Sequence, residues 1–216
     1  MNYYLDLTLL PDSDVNLGFI WQKVFQQIHL MLVENKVGKH DSAIAISFPQ
    51  YGDKAFPLGN KLRLFGQTDI ALEELNVSTW LARLEDYVHI KAVKPVPDNV
   101  EKFVLFTRKQ FKSPVKLRAD IDINAKKIAE KNGFDVEEVK QRLSVSLDKF
   151  DTESKLPYIN MTSLSTNTDS TIDQQSSFKL FIEKQPAEKQ DGNKLFTCYG
   201  LSRRERAKQA CVPWFN

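Results

Sequence analysis

Of the chain's three histidines, His29 is the one placed for acid–base work. A helix is expected over roughly 15–35, with Leu17, Ile20, Val24, Ile28 and Met31 as its apolar stripe and Trp21, Phe25 and Leu32 widening it. Helical spacing sets Phe25 (i−4) and Leu32 (i+3) beside His29. The imidazole then lies at the edge of the stripe, half buried, held by neighbours and within reach of solvent. A general base with a pKa near neutrality needs that combination; a structural histidine at a boundary position has it too. His40 falls in a polar turn and His89 in a strand, and both read as structural or surface residues.

No nucleophile motif accompanies His29. The chain has no G-x-S-x-G, no P-loop, no carboxylate cluster with metal spacing and no Cys/His set with zinc spacing. Its two cysteines, Cys198 and Cys211, make no disulfide framework. No metal and no cofactor are therefore expected, and catalysis has to use a histidine with hydroxyl partners. Cleavage of RNA by its own 2′-OH asks least of a protein: a base, and groups that fix in-line geometry. Ser163 and Ser165 lie two apart in an expected strand and would share a face. Tyr199 lies in an expected strand near the end of the chain. Each of these hydroxyls also has an ordinary structural reading.

Charge is unevenly spread. Residues 1–97 hold 9 Lys/Arg against 11 Asp/Glu, whereas 102–131 hold 9 basic residues, Lys112 among them, against 3 acidic ones. Such a local excess suits a polyanion, or a solvated face. Arg108 and Gln110, two apart in an expected strand, have the donor and acceptor sets that read guanine and adenine edges. They equally suit the solvent face of a sheet. Lys127 and Lys131, at i and i+4 on an expected helix, could follow phosphates along an A-form hairpin.

The elements that must position these residues follow from periodicity. Strands are expected at 2–10, 43–48, 61–65 and 87–93, with helices at 15–35 and from 69 through about 86. Pro11-Asp12 ends the first strand, and Asp14 is the expected cap of the first helix. The order β-α-β-β-α-β within about 95 residues is the ferredoxin-like pattern, which hosts many functions. No basic-Gly-Phe-Gly-Phe segment marks the third strand, so stacking of single-stranded RNA on the sheet face is not expected. A boundary is expected at 96–99, giving a ferredoxin-like domain over 1–97 and a second α+β domain over 98–216. That second part begins with a strand at 102–111 and a basic helix around 124–132, ended by Gly133. Asp135 caps another helix, and strands follow at 158–165, 178–183 and 194–201.

A chain of 216 residues with 42% hydrophobic and 27% charged residues can bury a real core and is not of disordered composition. Its first residues lack the basic and apolar regions of a signal peptide, and no apolar run reaches membrane-spanning length. The expectation is a cytoplasmic protein with reduced cysteines and no membrane partner.

Taken in order, YLDL near the start, QQIHLML around His29, AISFP, KLRLFG, R-x-Q-x-KS from Arg108, LPYINMTSLST, SFKLFI, FTCYGLS and the terminal VPWF resemble the CRISPR-repeat endoribonucleases of the type I-F system, the Cas-six-f family. The resemblance covers essentially the whole chain. It implies a ferredoxin-like domain followed by a domain that grips a repeat hairpin RNA. It implies that His29 deprotonates the 2′-OH upstream of the scissile phosphate, that Ser163 holds that hydroxyl, and that Tyr199 orients the histidine. Arg108 and Gln110 would read base edges at the foot of the stem, and Phe178 would stack on its terminal base pair. Lys126, Lys127 and Lys131 stand where the family pattern has an arginine-rich helix, and lysine meets phosphate as a point charge rather than a fork. RRERAKQAC separates GLS from VPWF where the pattern has a short turn. The implied products are a 2′,3′-cyclic phosphate and a 5′-hydroxyl, made without metal. The implied partners are CRISPR RNA and the other Cas subunits of a surveillance complex. The competing reading is a non-catalytic RNA-binding subunit of a ribonucleoprotein.

Overall fold

The computed structural model describes residues 1–111, 114–148, 155–163, 177–189 and 195–215. In chain order the elements are β1 (Tyr3–Leu9), α1 (Leu17–Glu34), β2 (Asp41–Ser42), β3 (Ala45–Ser47), β4 (Lys61–Gly66), α2 (Asp69–Glu73), α3 (Val77–Trp80), a 3-10 segment (Ala82–Tyr87), β5 (Val88–Ile90) and β6 (Lys94–Pro95). They continue as β7 (Phe103–Lys109), α4 (Pro114–Asn132), α5 (Val136–Asp148), β8 (Tyr158–Thr162), β9 (Ser177–Ala187), β10 (Phe196–Thr197), a 3-10 turn (Arg206–Lys208) and β11 (Val212–Pro213). The class is α+β. Two compact units result: Met1–Lys109 with Pro157–Asn216, and Gln110–Leu156. The expected boundary after residue 97 lies inside the first of these, because β7 and the C-terminal strands join the core laid down by the N-terminal half.

In the first unit an antiparallel sheet runs β3-β4-β1-β5, with β6 also on β1. A second antiparallel sheet runs β11-β7-β9-β8. The alternation of β1 decides its faces: Leu5, Leu7 and Leu9 are buried in the main core. Phe48, just past β3, ties the sheets together, with its ring 5.7 Å from Trp21, 6.3 Å from Phe25 and 5.2 Å from Phe106 of β7. Fully burying each such side chain is worth about 1.5–3 kcal/mol.

The first helix begins two residues later than expected, and its cap is Asn16, not Asp14. Asp12 Oδ1 already accepts from the amides of Asp14 and Val15, which fixes a turn there. Asn16 is then the last extended residue, and its side chain takes the Gly18 amide at 2.7 Å. The helix expected from 69 through about 86 is broken into α2, α3 and the 3-10 segment by Asn76, which adopts a left-handed φ of 48°.

In the second unit α4 and α5 form a helical hairpin. Gly133 at φ 70° lets the amides of Gly133 and Phe134 both return to the Ala129 carbonyl, closing α4. Asp135 accepts from the Glu137 and Glu138 amides and opens α5, as the sequence suggests. Ala125, Ala129 and Val139 make the buried seam.

Candidate active site

α1 delivers His29 as its spacing requires. Ile28 and Leu32 are fully buried, while the imidazole is half-buried at the rim. Its Nδ1 lies 2.9 Å from the carbonyl oxygen of Cys198. A carbonyl only accepts, so Nδ1 carries the hydrogen and donates it, and Nε2 of the neutral ring keeps its lone pair. The Tyr199 ring lies flat against the imidazole, centroids 4.1 Å apart and planes within 5°. Burial lowers the His29 pKa below its ordinary value; the Cys198 carbonyl pushes the other way, and the Arg108 charge adds to the lowering. The ring is thus held neutral, in the tautomer with Nε2 free to take a proton. Burial raises the Tyr199 phenol, which stays protonated.

The Cys198 carbonyl is itself fixed. Only Phe196 and Thr197 are strand residues, paired with Ser42 and Asp41, and the chain turns at once. Tyr199 therefore sits in a tight turn, not in the strand expected over 194–201. The Thr197 amide and hydroxyl both donate to the Leu201 carbonyl, at 2.9 and 3.0 Å, and the Gly200 amide donates to Thr197. Gly200 has φ 68°, and a Cβ there would collide with the side chain of Ile46. Across that close approach the Ile46 amide donates to the Gly200 carbonyl at 2.8 Å. The tripeptide Cys-Tyr-Gly is thereby clamped to β3.

Arg108 near the end of β7 completes the cluster. Its guanidinium lies 5.0 Å from the Phe178 ring and 5.6 Å from the Tyr199 ring. Its Nε is buried and meets no acceptor among the described residues. β7 ends at Lys109; Gln110 is exposed and belongs to the second unit, so the shared strand face expected for Arg108 and Gln110 is not formed.

β8 ends at Thr162, so Ser163 follows the strand rather than lying in it, half-buried; Ser165 is outside the described residues. The Thr162 amide donates to Gln26 Oε1 at 3.1 Å. Gln26 lies one helical turn before His29, so α1 holds the residue before Ser163 directly. Sequence reasoning missed Gln26; its place at i−3 of His29 was the available signal. Lys126, Lys127 and Lys131 are all exposed on α4, in the second unit, and Lys112 lies outside the described residues.

The chain end is locked by a charge pair that the sequence reading also missed. Asp6 and Arg63 face each other across β1 and β4. Arg63 makes a fork to the Asp6 carboxylate at 2.6 and 3.0 Å, and both are buried. It also donates to the Phe215 carbonyl at 2.9 Å and lies between the rings of Tyr4 and Phe215, 4.5 and 4.0 Å away. In the basic insertion, Arg203 pairs with Asp41 beside β10, while Arg204, Arg206 and Lys208 are exposed. Among the described residues no three His, Cys, Asp or Glu side chains come together as a metal-ligating set, and no helix is long and apolar enough to cross a membrane.

An α+β chain with a single tautomer-fixed histidine stacked on a tyrosine, beside an arginine with a vacant donor, has the makings of an acid–base site for an anionic substrate. Comparison with known proteins places it further. The model of the family described as CRISPR-associated protein (Cas_Csy4) matches residues 4–215. A protein of Escherichia coli (strain UTI89 / UPEC) named CRISPR-associated endonuclease Cas6/Csy4 is 31% identical over 216 residues, covering 100% of both chains. One of the same name from Pseudomonas aeruginosa (strain UCBPP-PA14) is 29% identical over 218 residues, again covering 100% of both. The chain belongs to the Csy4 family of CRISPR-associated proteins, the type I-F family that its motifs resemble.

Proposed function

We propose that this protein is a metal-independent endoribonuclease that binds a CRISPR repeat hairpin and cuts precursor CRISPR RNA at the 3′ foot of the stem. The observation that carries the reading is the 2.9 Å contact from His29 Nδ1 to the Cys198 carbonyl, which leaves Nε2 as the base. In the proposed step Nε2 takes the proton of the 2′-OH upstream of the scissile phosphate. The freed oxygen attacks phosphorus, and the 5′ oxygen leaves and is protonated from water. The products are a 2′,3′-cyclic phosphate and a 5′-hydroxyl. Ser163 holds the attacking ribose, Tyr199 keeps the imidazole plane, and Arg108, its guanidinium beside the Phe178 and Tyr199 rings, reads a base edge at the foot of the stem. Gln110 reads the foot of the stem, Phe178 stacks on its last pair, and Lys112, Lys126, Lys127 and Lys131 follow its phosphates.

The ferredoxin-like arrangement of the N-terminal strands and helices belongs to the same reading. So do a cytoplasmic setting and retention of the processed RNA with the other Cas subunits of a surveillance complex. The names of the relatives, which are CRISPR-associated endonucleases, support the substrate class.

The test is incubation with a hairpin repeat RNA, mapping the cut and its end chemistry. Cleavage should persist in EDTA, stop with a 2′-deoxy substitution at the cut, and stop in His29→Ala while hairpin binding survives. An RNA bound but never cut by the wild-type protein would leave only a binding subunit, and full cleavage by His29→Ala would remove the assigned base.

A further inference from the structure

A concave surface within the first unit is built partly from the elements that carry the proposed site, α1 and the end of β8. It has a volume of about 730 Å³ and lies between the outer face of α1 and the chain from Thr79 to Leu84. That size is in the usual range of ligand pockets, about 300–1,000 Å³. Two of its walls are shared with the machinery described above. Gln26, which precedes His29 by one helical turn, and Thr162, which precedes Ser163, both line it, and they are hydrogen-bonded to each other.

Its chemistry is that of a nucleic-acid channel. Lys23 and Arg83 are exposed on its rim, and no Asp or Glu is among its lining residues. Neither cation has a carboxylate within ion-pairing distance among the described residues. Trp80, half-buried against the core, offers an indole for stacking, and the Gln26 and Gln27 amides offer donors and acceptors. Lys23 Nζ also lies 5.1 Å over the ring of Phe19, an exposed aromatic one turn earlier on α1. Unpaired cations interleaved with aromatics are what single strands need: charge for the backbone and a flat surface for the bases.

We propose that this groove holds the single-stranded RNA immediately 3′ of the scissile phosphate. The inference rests on the functional reading above. There the stem lies 5′ of the cut and is met by Arg108 and Phe178, so the strand that continues past the cut must leave the site elsewhere. The Gln26–Thr162 contact is where α1 and β8 lead from the His29 and Ser163 positions into the groove. Occupancy there would hold the leaving strand in line with the attacking oxygen, and after cleavage it would retain the downstream fragment only weakly.

The experiment measures binding in a non-cleaving His29→Ala background. Three RNAs are compared: the hairpin ending flush at the cut, the hairpin with a single-stranded 3′ extension, and the hairpin with an equal 5′ extension. The 3′ extension should tighten binding by about tenfold, the equivalent of one good stacking contact with its phosphates. Lys23→Ala combined with Arg83→Ala should erase that gain, lower the salt slope for the extended RNA by about 1.4, and leave flush-hairpin affinity unchanged. Both side chains are exposed, so the fold is not at stake. The proposal is overturned if the 3′ extension gives no gain, if the double variant keeps the gain, or if the variant weakens only the 5′-extended RNA. If the flush hairpin itself is not bound, the functional reading fails, and this inference with it.

Discussion

The imidazole of His29 and the phenol ring of Tyr199 lie face to face, 4.1 Å apart and within 5° of parallel. With the Cys198 carbonyl holding one ring nitrogen, the stack removes the remaining rotational freedom of the imidazole. Tyr199→Phe keeps the flat surface and should retain most cleavage. Tyr199→Ala should lower kcat about a hundredfold, the usual scale for a misaligned reacting group, with a smaller effect on KM. It should also move the apparent pKa of the base up toward the ordinary histidine value, because the ring becomes solvated. A Tyr199→Ala enzyme with unchanged kcat and pH profile would show the stack to be packing alone.

The pH dependence has a defined sign. Burial lowers the His29 pKa below its ordinary 6.5. A base must be neutral, so kcat/KM should rise with pH, pass its midpoint below 6.5, and be flat at neutrality. Folding is linked to the same proton. Below 6.5 the unfolded chain protonates its histidine before the folded protein does, so acidification favours unfolding. This contribution is fully present above 6.5, begins to fall below it, and is lost as pH drops through the lower pKa of the folded protein. A cleavage profile still climbing between pH 7 and 8 would point to another base.

Gly200 gives the turn its shape, and its replacement should be felt at His29. Alanine there must adopt φ 68° and push its Cβ into Ile46. The expected cost is about 1–3 kcal/mol, which for a chain of this size lowers Tm by about 2–4 °C per kcal/mol. Because the Gly200 carbonyl binds the Ile46 amide and Cys198 lies two residues earlier, cleavage should fall more than the loss of folded protein accounts for. Thermal melts paired with single-turnover rates separate the two effects.

The lysines of α4 should act through charge alone. Lys126, Lys127 and Lys131 are exposed, and the buried seam of the hairpin is Ala125, Ala129 and Val139. Replacing all three lysines by Ala should leave the melting temperature nearly unchanged. It should weaken hairpin binding and reduce the salt dependence of log K by roughly one for each phosphate no longer neutralised. Binding titrations at several salt concentrations read this directly; an unchanged slope would move the phosphate-binding role off this helix.

What the sequence revealed depended on whether a feature repeats along one element. His29 was legible because its place at the rim of an apolar stripe is a property of α1 alone, and β1 was legible from its alternation. Gly133 and Asp135 were legible because helix ends have their own residue preferences. Tyr199 was placed in the wrong element because 194–201 reads well enough as a strand. The turn is imposed from outside, by Ile46 and by the Leu201 carbonyl. The partner of His29 was invisible for a different reason: it is a backbone carbonyl, and the side chain of Cys198 says nothing about it. Gln26 and the Asp6–Arg63 pair were equally hidden, since each needs a contact between distant parts of the chain.

The Asp6–Arg63 pair makes the last prediction. Both groups are buried, and Arg63 connects Asp6, Tyr4 and the Phe215 carbonyl. Arg63→Met strands a carboxylate in the interior and should cost about 3–5 kcal/mol, while Asp6→Asn with Arg63→Met removes both charges and should recover much of that. Removing Phe215 and Asn216 takes away one ring and the carbonyl but leaves the ion pair, so its cost should be smaller than that of Arg63→Met. The terminal strand β11 pairs with β7, the strand that carries Arg108, so each of these changes should also disturb hairpin binding in proportion to the melting shift. Denaturant titrations of the wild-type protein and the three variants decide it. Equal destabilisation in Arg63→Met and in the double variant would mean that the guanidinium acts through its packing against Tyr4 and Phe215 rather than through its charge.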